Sequence, residues 1–150
     1  MGNTDILDDL RATEVRLREE HRALERAIDG LHAGSARLRL GAIPKRDLED
    51  AIYELYVMFD DHLVLEERLL APLVPRIAPC DAARIQLMLH EHALQRTLFF
   101  STLERTEQGA LGCEALVASV ARLASVLRAD IAIEEELLAD LARQSKISAR

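Results

Sequence analysis

Three stretches punctuate this chain: GAIPKRD at 41–47, PRIAPCD at 75–81 and EQGALGC at 107–113. The intervals between them are each long enough for about seven or more helical turns, and all four carry apolar residues at spacings of three and four. Four long helices are therefore expected, at approximately 4–38, 47–74, 82–107 and 113–143. Asp47 and Asp81 each stand directly before an apolar-periodic run, where an N-cap belongs. Pro72 falls inside the second run and is expected to kink that helix or end it early. Short connections favour antiparallel neighbours, so the predicted fold class is all-α, an up-down-up-down four-helix bundle.

Composition agrees with this reading. The chain has 150 residues, enough for one domain with a proper core and too few for two, so a single domain spanning 1–150 is expected. Hydrophobic residues reach 49% while aromatics are only 3%, which favours helix and leaves strands little of their usual material. A net charge of −7 argues against nucleic acid as a partner, because phosphate binding needs a clustered positive field. The arginines instead alternate with acids, as in RATEVRLREEHRALER, the pattern of a solvated helix face. No apolar run approaches the roughly 18 residues of a membrane span, and MGNTDILDDL lacks the order of a secretion signal, so a cytoplasmic location is expected. Cys80 and Cys113 form no C-x-x-C pair, and in this topology they lie at opposite ends of a helix, too far apart for a disulfide.

The apolar stripes contain ionisable residues. The second helix reads Leu48, Ile52, Leu55, Phe59, His62, Glu66, Leu69, Leu73; the first reads Leu10, Glu14, Leu17, His21, Leu24, Ile28, Leu31. The fourth reads Leu116, Val120, Leu123, Leu127, Asp130, Glu134, Leu137, Leu141. The third is less regular: Ile85, Leu89, Phe99 and Leu103 define a face that includes His92 and Arg96, with His90 on its flank as the alternative to His92. A carboxylate on an inward face is costly unless its charge is compensated. Counted from the end that holds the first and third loops, His21, His62, His92 and Asp130 lie about 15 to 17 residues along their helices. At the standard rise that is one layer, roughly 22 to 26 Å down.

The sequence also repeats itself. HLVLEERLL from His62 aligns without gaps to DIAIEEELL from Asp130, with four identities, Glu66 opposite Glu134 and His62 opposite Asp130. Glu20-His21 and Glu91-His92 echo one another in the same way, so the bundle reads as a doubled helical hairpin with pseudo-twofold symmetry. Singly, a histidine on an apolar face is ordinarily a hydrogen-bonded core residue, and a glutamate beside a stripe, such as Glu14, ordinarily reaches solvent. Together, three imidazoles and three carboxylates at one depth form the donor set that a pair of transition-metal ions requires. Imidazole suits iron, and carboxylates can bridge ions and balance their charge.

In these residues the chain resembles the hemerythrin-like, or HHE cation-binding, domain family. The resemblance rests on EEHRAL around His21, HLVLEE from His62, HEHALQ around His92 and DIAIEEELL from Asp130, and it covers nearly the whole chain. It implies a di-iron centre in a four-helix bundle. Glu66 and Glu134 would bridge two ions, His21 and His62 would be terminal ligands to one, and His92 with Asp130 would serve the other. Zinc is a possible substitute. Partners implied by the family are oxygen, peroxide or a small diatomic molecule such as nitric oxide.

Two departures from the family pattern bear on the chemistry. Asp130 stands where the fourth-helix motif usually begins with histidine, and Arg96 stands where oxygen carriers place a second histidine one turn after the third-helix ligand. An anionic ligand favours Fe(III), which shifts the expectation from reversible carriage to sensing, oxidase or peroxidase chemistry. The rival reading pairs Arg96 with Asp130 in place of one metal, leaving a scaffold or interaction protein with a mononuclear or empty site. Iron-centre repair is disfavoured, since no cysteine precedes Cys80.

Overall fold

The computed structural model describes residues 3–148, with side chains from 5 to 146. Four helices follow one another: α1 (Asn3–Arg39), α2 (Lys45–Ile77), α3 (Ala82–Glu107) and α4 (Cys113–Ser148), with a short 3-10 turn at Pro79–Asp81 before α3. Each is packed against its predecessor, α4 closes against α1, and α2 meets α4 across the diagonal. The all-α, up-down-up-down bundle of the sequence reading is the architecture observed. No described helix is long and apolar enough to cross a membrane.

The first and third loops are built alike. Gly41 (φ 68°) and Gly109 (φ 64°) each adopt the left-handed conformation just past a helix. Ala42 N–H then reaches back to the Arg37 carbonyl at 2.8 Å and Ala110 N–H to the Arg105 carbonyl at 3.0 Å, closing the same C-terminal cap in both. The doubling seen in the sequence thus extends to how α1 and α3 end.

Three local expectations meet different outcomes. Pro72 does not end the second helix early: α2 runs through both Pro72 and Pro75 to Ile77, because Leu70, Leu73 and Val74 are buried and tertiary packing outweighs the two lost backbone hydrogen bonds. Asp47 is not an N-cap. The helix begins at Lys45 after Pro44, whose fixed backbone starts it with no side-chain cap, and Asp47 lies in the first turn. Asp81 does occupy the N-cap of α3 but makes no capping hydrogen bond; its carboxylate lies 3.4 Å from Arg84 and from Gln144 instead.

The core comes in two parts. One cluster, including Leu24, Ile28, Leu55, Phe59, Phe99 and Leu127, fills the end that holds the first and third loops. The other, including Leu10, Leu17, Leu70, Val74, Ile85 and Leu141, fills the opposite end. Between them lies the layer of buried ionisable side chains.

Candidate metal centre

All six residues singled out in the sequence are buried: His21, His62, Glu66, His92, Asp130 and Glu134 are each 6% exposed or less. His90 is exposed, and His92 is the third-helix histidine that lies in the layer. Glu14 is half-buried and pairs with Arg18 at 2.9 Å, the solvent-facing role expected of it.

The layer is centred on Glu134. Its Oε2 lies 2.5 Å from His21 Nε2 and 3.2 Å from His62 Nε2, and the two imidazoles meet edge to face with centroids 5.0 Å apart. On the other side His92 Nε2 approaches Glu66 Oε2 at 3.0 Å, without hydrogen-bond alignment. Two compact groups result, His21–His62–Glu134 and Glu66–His92–Glu134, each with its ligand atoms within 4.8 Å of one another. Glu134 belongs to both. Asp130 lies outside these groups: its Oδ1 accepts a 2.7 Å hydrogen bond from Gln95, while its Oδ2 is buried without a partner.

Unpaired acceptors distinguish this layer from an ordinary polar network. Both oxygens of Glu66, Oε1 of Glu134 and Oδ2 of Asp130 are buried with no donor, as is Nδ1 of His62. Buried acceptors almost always have partners, and a layer with several unmatched carboxylate oxygens is the environment a cation would complete. The donor types fit: imidazole nitrogen and carboxylate oxygen are ligands for iron and zinc.

Electrostatics carries the same message. Burial pushes Glu66 up to about 8, and the Glu134 charge adds to it against the opposing pull of His92. Burial likewise raises Asp130 to about 7, again helped by Glu134 and opposed by the Gln95 hydrogen bond. Burial alone would lower His92, but Glu66, Glu67 and Asp130 together raise it to about 9. Glu134 resists burial because the hydrogen bonds from His21 and His62 hold it below the usual carboxylate range. Without a cation, this layer is short of positive charge.

The sequence reading missed the outer partners. Glu67 Oε1 lies 2.9 Å from His92 Nδ1, and Glu135 Oε1 lies 2.7 Å from His21 Nδ1. The signal was present in the repeat, where a second glutamate follows each site glutamate: Glu66-Glu67 and Glu134-Glu135. Arg96 also differs from the rival expectation. It binds Asp60 at 2.8 Å and Glu67 at 2.9 Å, both on α2, and does not pair with Asp130. These two acids lie on the partly exposed flank, where a guanidinium keeps some of its hydration; reaching Asp130 would cost more desolvation.

Between α3 and α4 a pocket of about 170 Å³, walled partly by Met88 and Leu137, reaches Glu66, His92, Asp130 and Glu134. It suits a small molecule and is too small for a large organic substrate.

A four-helix bundle with a buried layer of histidines and carboxylates drawn from all four helices defines a class of cation-binding proteins. The chain belongs to the family described as the hemerythrin HHE cation-binding domain, whose model matches residues 14–142 and so spans the whole layer. No curated protein matches the chain, and no solved structure does.

Proposed function

We propose that this chain holds two iron ions in the buried layer and reacts there with oxygen, peroxide or a related small oxidant. Glu66 and Glu134 would bridge the ions, His21 and His62 would complete one side, and His92 with Asp130 the other. The observation that carries this reading is the set of buried carboxylate oxygens without donors, shared among Glu66, Asp130 and Glu134. Iron so held would supply one-electron exchange with an oxidant.

The chain's own residues limit how that exchange proceeds. Met88, Ile133 and Leu137 give the pocket apolar walls beside its charged residues, and its volume limits it to small molecules. Asp130 adds negative charge where the family usually has a neutral imidazole, so the oxidised state is favoured over reversible uptake and release of oxygen. Sensing, oxidase or peroxidase chemistry follows in preference to carriage.

Metal analysis after anaerobic reconstitution with Fe(II), with absorption spectra before and after air, tests the reading. Two ions per chain and a stable ferric spectrum are expected, with zinc as the substitute for iron in recombinant material. No uptake by a folded chain would defeat it and leave the bundle a scaffold. One ion per chain would favour a second reading, a mononuclear site at His21, His62 and Glu134, for which the engagement of Asp130 with Gln95 is the supporting observation.

A further inference from the structure

Each outer glutamate touches a site histidine from behind. His21 presents Nε2 to Glu134 and Nδ1 to Glu135; His92 presents Nε2 to Glu66 and Nδ1 to Glu67. The helices involved are exchanged by the internal repeat: α4 supports the histidine of α1, and α2 supports the histidine of α3. Both outer glutamates are in turn held by an arginine, but differently. Arg18 binds Oε2 of Glu135 at 3.2 Å, leaving Oε1 to His21. Arg96 binds Oε1 of Glu67 at 2.9 Å, the same oxygen that faces His92.

We infer that Glu135 and Glu67 are positioning residues that fix the outer nitrogens of His21 and His92 as hydrogen-bond donors, and that they do so with unequal strength because Arg96 competes for the oxygen His92 uses. The inference rests on the metal-binding reading above. A ring N–H donated to a carboxylate keeps the lone pair of the other nitrogen toward the site and makes it a stronger donor. On the His21 side Arg18 takes the other oxygen, at 3.2 Å, so more of the density at Oε1 is left to the imidazole. On the His92 side a guanidinium draws on the same oxygen, and Asp60 anchors that guanidinium at 2.8 Å. Two sites that the sequence repeat makes look equivalent are thereby made chemically distinct, with the His21 side the stronger ligand.

The test has two stages on the full chain. In metal-free protein, ¹⁵N-resolved spectra of the histidine rings should show slowly exchanging Nδ1–H protons for His21 and His92. Glu135→Ala should remove the first and Glu67→Ala the second, while Glu135→Gln and Glu67→Gln, which keep an acceptor without its charge, should retain them. Rapid exchange of both in the wild type would overturn the inference whatever the metal result. In the second stage, anaerobic Co(II) titration should show Glu135→Gln lowering affinity about 10- to 100-fold, with a smaller loss for Glu67→Gln. Equal losses, or a larger loss at Glu67, would overturn the proposed inequality, and unchanged affinity in both would overturn the positioning role alone. A wild type that takes up no Co(II) would defeat the metal reading and this inference with it.

Discussion

At the scale of single residues, the site is a set of groups whose proton affinities are displaced by burial. In metal-free protein Glu66 is raised to about 8 and Asp130 to about 7, from ordinary values of 4.5 and 3.8, and His92 is raised from 6.5 to about 9. Each binds its proton more tightly folded than unfolded. Its contribution to stability is therefore complete below the unfolded value and lost as pH rises through the folded one. Glu134, held low, works the other way, contributing above 4.5 and losing that contribution as pH falls toward its depressed value. The melting temperature of metal-free protein should therefore decline between about pH 5 and 9. Because metal needs deprotonated ligands, the gain in melting temperature on adding metal should grow over the same window. Calorimetry at several pH values checks both, and a metal-free melting temperature that climbed from pH 5 to 8 would contradict the first. Glu66→Gln should show function and stability pulling apart. Its amide could donate to the neighbouring Glu134, turning repulsion into a hydrogen bond, so at pH 8 the metal-free variant should be more stable than wild type by about 1 kcal/mol or more while binding metal worse. Arg96 and Asp130, in contrast, share no contact. Unfolding of Arg96→Met, Asp130→Leu and the double variant in chelator should show no rescue, the double variant failing to recover what Arg96→Met loses, because the Arg96 guanidinium is held by Asp60 and Glu67.

At the scale of helices, what was legible depended on whether a residue's role lay in its own stripe. His21, His62, Glu66, Asp130 and Glu134 interrupt regular apolar periodicity, so their inward direction could be read directly. The depth argument placed His92, on the less regular third helix, beside them. Glu67 and Glu135 sit one residue off the stripe, the position of a flank residue that reaches solvent. Nothing within a single helix reveals that a neighbouring histidine lies against them. Gln95 escaped for the same reason, since its partner is on α4. Pro72 shows the opposite failure, a strong local rule overruled by burial of the surrounding apolar residues. The exposed Pro72 still removes a backbone hydrogen bond from α2. Pro72→Ala should consequently stabilise the protein, by about 1–3 kcal/mol, with metal uptake unchanged. Denaturant unfolding with matched metal content decides this, and a loss of stability would mean that the ring's packing outweighs the missing bond.

At the scale of the whole molecule, the two apolar clusters lie on either side of the ionisable layer, and every helix passes through all three zones. An ordinary bundle frays from its ends, where backbone groups lack partners and packing is thin. This one has its unpartnered buried polar atoms at the waist, with apolar cores above and below. Hydrogen exchange in metal-free protein should then be faster for amides near His62, Glu66, Asp130 and Glu134 than for amides within either cluster. Metal should suppress that exchange. Uniform protection along α2 and α4 in the absence of metal would show that the apolar ends hold the middle closed unaided. The same arrangement would make the bundle a mechanical reporter: a cation loaded at its centre would tie all four helices together at once, so that a change confined to a few side chains would be felt at both ends.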